Sequence, residues 1–338
     1  MANTSTAPPK EQLMAAIAPE VANIDQAMQR DLQTATADCD PLLVEILEYG
    51  LFNGGKRLRP LLAILAARLS GHMVEKIVDL AIAFEYLHGA TLFHDDVIDR
   101  ADMRRGKSSV NKKFGEIAAI LGGDFLHSRS MFLIGTLGGN AALKIFCHAT
   151  NGMVDGEFLQ LRNAENYSLS EKDYFLAVRG KTALLIAATC EIGALAGGAT
   201  PQQQKALADY GLGLGTAFQI IDDLLDYQGD ASLTGKAVGN DFQEGKMTLP
   251  LILALGKADS EDRQRLLFLL ANEEARQGGF AEAYAIIDKY EGFALSRNRA
   301  EAIVTDAVSG LDSFAEQGNT ETIAILRALA EYVLVRKK

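Results

Sequence analysis

Asp95, Asp96 and Asp99 stand in "FHDDVIDRADMRRGK" (Phe93 to Lys107), and Asp222, Asp223 and Asp226 repeat the arrangement in "QIIDDLLDYQGD". On a helix the first and third aspartate of each triplet stack on one face, with the second beside them. Carboxylates about 5 Å apart repel by roughly 3 kcal/mol at an effective dielectric of about 20. One such triplet reads as a solvated face. Two copies, each interrupting a strongly apolar helix, read as groups waiting for a cation. Helices that face each other would turn all six carboxylates toward one cavity. Oxygen-only ligands that leave room for water suit Mg²⁺, which binds through carboxylates and the phosphates of a substrate. Other metal and phosphate sites are excluded. The twelve-residue calcium loop is absent. Only one Glu-x-x-His occurs, Glu85 to His88, where a di-iron bundle needs two. "GDASLTGKA" ends in Ala237, where a P-loop needs Ser or Thr.

Positive charge is gathered in two places. The chain carries a net charge of −11, which disfavours nucleic acid as a partner. Against that background "GGKRLRP" (Gly54 to Pro60) and "RRGK" (Arg104 to Lys107) read either as solvated loops or as the surroundings of an anionic ligand. Aspartate-held Mg²⁺, nearby Lys and Arg and an apolar surround fit a diphosphate on an apolar tail. Metal ions there would bridge carboxylates and diphosphate oxygens and stabilise the charge building on a leaving diphosphate.

These residues need helices to hold them. Apolar residues recur at helical spacing at Val21, Ile24, Met28 and Leu32. "PLLVEILEYGLF" and "PLLAILAARL" are apolar enough for buried helices. Asp40-Pro41 and Thr200-Pro201 read as N-caps followed by a first-turn proline. "SLSEKDYFLAV" offers a capping box from Ser168 to Glu171 or from Ser170 to Asp173. Gly211, Gly213 and Gly215 lie inside an apparent helix at roughly 1 kcal/mol each, a cost that close packing or a ligand-side bend would offset. Alternating strand patterns are missing, no linker breaks the composition, and no repeat is visible. The expectation is one all-α domain over residues 1–338, with 1–12 a tail. Cys39, Cys147 and Cys190 suggest neither disulfides nor zinc and fit a cytoplasmic protein. No apolar run of about 18 residues and no secretory signal are read, so no membrane anchor is expected.

In combination the motifs resemble the trans-prenyltransferases, the all-trans polyprenyl diphosphate synthases, from about Leu43 to the C-terminus. "GGKRLRP" resembles the first substrate motif, "DDVID" with "MRRGK" the first aspartate-rich motif, "GKTA" (Gly180 to Ala183) the Lys-Thr motif, and "FQIIDDLLD" the second aspartate-rich motif. "GKAVGNDFQEGKMTLP" resembles the segment that closes over the diphosphate. The resemblance implies a helical bundle of the isoprenoid synthase type with a central apolar cavity. It implies condensation of isopentenyl diphosphate with an allylic diphosphate, farnesyl diphosphate above all, in a homodimer. Asp95, Asp99 and Asp222 would hold Mg²⁺ on the allylic diphosphate, with Asp96, Asp223 and Asp226 assisting. Arg104, Lys181, Lys236 and Lys246 would contact the same diphosphate. Lys56, Arg59, His88 and Arg105 would hold isopentenyl diphosphate without metal. Lys181, Thr182 and Gln219 would place dipoles near the developing cation, and the departing diphosphate would take the proton. His88 reads equally well as a core histidine, and His94 and His127 read as structural.

Product length follows from the helix before Asp95. Ala90 lies five residues earlier, about 7.5 Å down the helix, and Thr91 four; both are small, where short-chain members carry bulky aromatics. The sequence therefore resembles octaprenyl-type synthases, which implies about eight isoprene units, within about six to ten, along a tunnel beside this helix. Leu87 and Phe84 would narrow the path, and Phe132, Ile145 and Phe146 are candidates for its floor. A quinone side chain is the implied destination. The alternatives are a short-chain farnesyl or geranylgeranyl diphosphate synthase, a non-catalytic partner subunit, which would have lost motif residues, and a helical terpene cyclase, which would lack the isopentenyl diphosphate site.

Overall fold

A computed structural model describes residues 10–71, 76–163, 166–229, 238–317 and 319–336. The chain is helical almost throughout. It runs α1 (Lys10–Ala35), α2 (Pro41–Leu51), α3 (Leu58–Leu69), α4 (Ile77–Ile98), a hairpin of β1 (Met103–Arg104) and β2 (Lys107–Ser108), α5 (Val110–Phe114), α6 (Glu116–Leu133) and α7 (Gly139–Asn163). It continues through α8 (Glu171–Val178), α9 (Leu184–Ala196), α10 (Pro201–Gln228), α11 (Asn240–Gln243), α12 (Leu249–Lys257), α13 (Ser260–Ala271), α14 (Glu273–Lys289), α15 (Gly292–Ser309) and α16 (Thr320–Val335). Two π-helical turns, Ile134–Gly138 and Arg179–Ala183, interrupt the α-helical ladder.

The described residues fall into two compact units. Unit 1 takes those of Met1–His148, Ala188–Ala208 and Ser313–Leu326; unit 2 takes those of Ala149–Ala187, Asp209–Asp312 and Arg327–Lys338. The first aspartate triplet and both basic loops belong to unit 1. The second triplet, the Lys-Thr motif and Lys246 belong to unit 2.

In unit 1, α4 is buried almost without a break from Ile77 to Ala90. A helix enclosed on all sides needs no polar face, which is why its sequence shows no amphipathic stripe. α3 is buried from Pro60 to Ala67. Ile24, Met28 and Leu32 of α1 are buried as their spacing requires, and the Tyr86 hydroxyl donates to the Met28 carbonyl at 3.0 Å. α2 is less enclosed than its composition suggests: Ile46, Leu47 and Leu51 are buried while Leu42 is exposed.

The expected caps form. Asp40 accepts from the Leu42 amide at 2.8 Å. Thr200 accepts from the Gln203 amide at 3.4 Å, and Gln203 Oε1 accepts from the Thr200 amide at 2.9 Å. Of the two capping boxes, Ser170 with Asp173 is the one formed. In unit 2, a Cβ on Gly213 would sit 2.6 Å from the Ala307 Cβ, and one on Gly215 2.7 Å from the Ala183 Cα. Helix packing therefore accounts for those two glycines.

The hairpin was missed by pattern. Its strands are two residues long, too short to alternate, and its turn is Arg105-Gly106 rather than the commoner Asn-Gly. Both turn residues have positive φ, 52° and 77°, as a type I′ turn demands. The reading of no long apolar run also needs correction. Among the described residues the helical stretch Glu116–Asn163 is long and apolar enough to cross a membrane, by length and composition alone, with 28% of its most apolar window buried.

Candidate active site

Unit 1 builds a nest of guanidinium groups beside the end of α4. The loop before α3 turns through Gly54 and Gly55, with φ of 86° and 147°. That turn brings the Gly54 carbonyl to the Arg105 guanidinium, which donates to it. Arg57, in the same loop, is buried and structural. It donates to Asp25 at 2.7 Å, to Glu85 at 2.9 Å and to the Leu51 carbonyl at 2.9 Å. Arg59 is different, because its Nε is buried and has no hydrogen-bond partner. Burial, opposed by Glu85 and reinforced by Arg105, lowers its pKa. Such an orphaned donor in a positive field is a place for an anion. His88, half-buried on α4, stands in the same field. Burial first, then Arg59, Arg105, Arg104 and Arg57, push its pKa well below the ordinary histidine value. The imidazole is therefore neutral at physiological pH. Lys56 is exposed on the same loop.

The first triplet divides by burial. Asp96 is buried, and Arg104 of the hairpin grips its Oδ1 from Nε and Nη2, both at 2.6 Å. Asp99, the C-cap residue of α4, is exposed, and Asp95 is half-buried. The side chain of Asn111 donates to the Asp96 carbonyl at 2.9 Å, so α5 also holds the end of α4.

Unit 2 places the second triplet on α10. Asp223 is buried and accepts from the Tyr174 hydroxyl at 2.6 Å and from Gln219 Nε2 at 2.9 Å. Burial and then Asp241 push its pKa up to about 8, against the pull of those two bonds. Asp226 accepts from the Asp241 amide at 3.0 Å; burial and Asp241 push its pKa up to about 6. Burial also raises Asp241, against the pull of Lys246. Asp222 is exposed and pairs with Arg336 at 2.5 Å. Arg336 also stacks on the Phe218 ring at 3.7 Å and leaves its Nε buried without a partner.

The Lys-Thr motif occupies the π-helical turn Arg179–Ala183, a distortion that recurs at functional sites. Lys181 Nζ lies 2.9 Å from Glu157 Oε1 and 3.2 Å from Gln160 Oε1. The Thr182 hydroxyl donates to Gln219 Oε1 at 3.1 Å.

Arg59, Arg105 and His88 are thus brought together in unit 1, and Thr182 and Gln219 with Asp223 in unit 2, whereas the Lys181 side chain turns to Glu157 and Gln160. Lys246 sits 3.3 Å from Asp241 and 2.6 Å from Glu244. Lys236 lies outside the described residues. Among those residues no three carboxylates or other ligating groups converge as a ready metal site. In the first triplet Asp96 is held by Arg104, and in the second all three carboxylates have protein partners: Asp222 with Arg336, Asp223 with Tyr174 and Gln219, Asp226 with the Asp241 amide. Phe132, a candidate for the tunnel floor, is exposed and lies under the Arg129 guanidinium at 4.8 Å. Phe146 is buried against Phe84, ring centroids 6.0 Å apart. His94 lies 3.2 Å from the Ile120 carbonyl and 3.5 Å from Asp124, and His127 is lowered by burial. Sequence spacing missed Tyr174, Glu157, Gln160, Asp241 and Arg336, whose partners Asp223, Lys181, Asp226 and Asp222 lie 15 to 114 residues away, too far for any periodicity to connect them.

An all-α isoprenoid synthase fold that carries paired aspartate triplets, a Lys-Thr turn and a guanidinium nest defines a prenyltransferase. A family model described as polyprenyl synthetase matches residues 40–287. The octaprenyl diphosphate synthase of Escherichia coli (strain K12) is 40% identical over 257 residues, 76% of this chain and 78% of that protein. Among solved structures, a decaprenyl diphosphate synthase from Rhodobacter capsulatus superposes with a TM-score of 0.88 at 35% identity, covering 98% of this chain and 100% of that one. A polyprenyl synthase from Caulobacter crescentus CB15, complexed with calcium and isoprenyl diphosphate, gives 0.85 at 33% identity, covering 98% and 100%. The chain belongs to the polyprenyl synthetase family and is a prenyltransferase enzyme.

Proposed function

We propose that the protein extends an allylic diphosphate, farnesyl diphosphate above all, with isopentenyl diphosphate into an all-trans polyprenyl diphosphate of octaprenyl-like length for a quinone side chain. The observation that carries this is Arg59, with its buried, partnerless Nε among the charges of Arg57 and Arg105 and beside a neutral His88. A diphosphate seated there satisfies the donor and offsets the repulsion without metal. Lys56 and Arg105 complete that seat for isopentenyl diphosphate.

The acidic residues fit Mg²⁺. All their donors are oxygen, and Asp226 is raised by burial and by Asp241, a strain that a hard divalent cation relieves. Asp95, Asp99 and Asp222 would hold it, with Asp226 assisting. Mg²⁺ bound there supplies Lewis-acid neutralisation of the departing diphosphate. Lys181, Lys246, Arg104 and Lys236 bind and orient the allylic diphosphate. Thr182 and Gln219 turn fixed dipoles toward the carbon that loses it. The double bond of isopentenyl diphosphate then attacks, and an oxygen of the freed diphosphate removes the proton.

The growing chain is assigned to the side of α4 marked by Ala90, Thr91 and Leu87, of which Ala90 and Leu87 are buried. The Phe84–Phe146 pair favours a second reading, a short-chain product stopped at those rings. A homodimer belongs to the same proposal, supported by the apolar residues that α6 leaves exposed: Ile117 76%, Leu121 59%, Phe132 55%. So do a single all-α domain over residues 1–338 and a cytoplasmic location, the latter supported by the free thiols of Cys39, Cys147 and Cys190.

Calorimetry with and without a chelator tests the division of labour. Isopentenyl diphosphate should bind in EDTA, and Arg59→Ala should abolish that binding. Turnover of the allylic substrate should require Mg²⁺. Loss of isopentenyl diphosphate binding in EDTA would sink the assignment of Arg59, Arg105 and His88.

A further inference from the structure

Four polar side chains of unit 2 form one continuous chain. The Tyr174 hydroxyl of α8 donates to Asp223 Oδ2 at 2.6 Å. Gln219 Nε2 donates to Asp223 Oδ1 at 2.9 Å, one helical turn away on α10. The Thr182 hydroxyl, in the π-helical turn, donates to Gln219 Oε1 at 3.1 Å. Tyr174 and Asp223 are each 5% exposed, so bulk water does not compete for these bonds.

The chain has a direction. Gln219 presents its NH₂ group, not its oxygen, to Asp223. Its oxygen then faces Thr182, and the Thr182 proton is committed to it. The Thr182 lone pairs are left to point elsewhere. Both oxygens of Asp223 are already engaged by neutral donors, whereas Asp222, next to it, is exposed and has only its Oδ1 held, by Arg336.

We infer that Asp223 is a positioning residue rather than a metal ligand: anchored by Tyr174, it fixes the Gln219 amide and, through it, the proton direction of the Thr182 hydroxyl. The inference rests on the elongation reaction proposed above and separates the two adjacent aspartates by role. Asp222 serves the cation; Asp223 serves the dipoles that face the reacting carbon. Tyr174 stiffens the anchor from a helix that carries no other part of the site.

Exchange of the two side chains tests it. In Asp223→Asn, Tyr174 still donates to the amide oxygen, but the new NH₂ group faces Gln219. The Gln219 amide must turn over and present its NH₂ to Thr182, which reverses the Thr182 proton. kcat should fall about a hundredfold to a thousandfold, the scale of losing one preorganised dipole. KM for both substrates and the half-saturating Mg²⁺ concentration should stay within about twofold, the split expected when only a transition-state interaction is lost. Tyr174→Phe should lower kcat less, with the same split. In the charge-conserving pair Asp223→Asn with Gln219→Glu, the carboxylate at 219 accepts from Asn and from Thr182 alike, and kcat should recover at least about tenfold over Asp223→Asn alone. Asp222→Asn, the metal-side control, should raise the Mg²⁺ requirement.

Circular dichroism melts of every variant identify any loss of folding, and Tyr174→Phe, which removes one oxygen, carries the test if Asp223→Asn does not fold. A higher Mg²⁺ requirement with kcat restored at saturation would overturn the inference and make Asp223 a ligand. So would a double variant no better than Asp223→Asn. Failure of the wild-type protein to elongate at all is a distinct result, which removes the proposed reaction and the inference with it.

Discussion

His88 is uncharged at neutral pH because burial and four guanidinium groups disfavour its cation. Its folded-state pKa lies below the unfolded value, so the unfolded chain takes up the proton first as pH falls. The histidine therefore favours the folded state fully above about pH 6.5, and that contribution is lost below it, down toward the folded pKa. A diphosphate in the nest reverses the field. Proton NMR titration of the His88 ring should find it neutral at pH 6 in the free protein, and isopentenyl diphosphate should raise its pKa. An ordinary titration in both states would remove His88 from the anion seat. The sequence alone left this residue between core and ligand, and the neighbours that decide the matter come from two separate segments, Arg57 and Arg59 before and at the start of α3 and Arg104 and Arg105 of the hairpin. The same holds for Asp223: the triplet was legible from helical spacing, but its anchor Tyr174 lies 49 residues away. Arg336 lies 114 residues from the Asp222 it covers.

Gly156 and Gly180 let α7 meet the π-helical turn that carries Lys181 and Thr182. A Cβ on Gly156 would sit 2.5 Å from the Lys181 amide nitrogen and 2.9 Å from the Gly180 carbonyl carbon, both backbone atoms that cannot swing aside. Gly156→Ala should therefore push the turn away, cost about 1–3 kcal/mol in denaturant unfolding, and lower kcat by displacing Thr182 from Gln219. Unchanged activity would mean that the turn's position does not matter to the chemistry. Helices were the most legible elements, because N-caps such as Asp40 and Ser170 and the unbroken apolar run of α4 are local signals. The hairpin was not, although it delivers Arg104 to Asp96 and Arg105 to Gly54. Two-residue strands leave no alternation, and a turn of Arg and Gly resembles any charged loop. The exposed side of α2 and the open face of α6 were equally hidden, since composition reports how apolar a helix is but not how much of it the fold covers.

For the whole molecule, the proposed homodimer would cover the exposed face of α6. Leu121→Glu should shift sedimentation from dimer toward monomer, and a wild-type protein that sediments as a monomer would refute the dimer. The central claim is chain growth itself, and chromatography of the dephosphorylated products after incubation with Mg²⁺, farnesyl diphosphate and labelled isopentenyl diphosphate tests it most directly. Wild-type protein should give one dominant linear product of octaprenyl-like length, and Ala90→Phe, with its melting temperature checked in parallel, a shorter one. A cyclic hydrocarbon, or no extension of the primer at all, would contradict it.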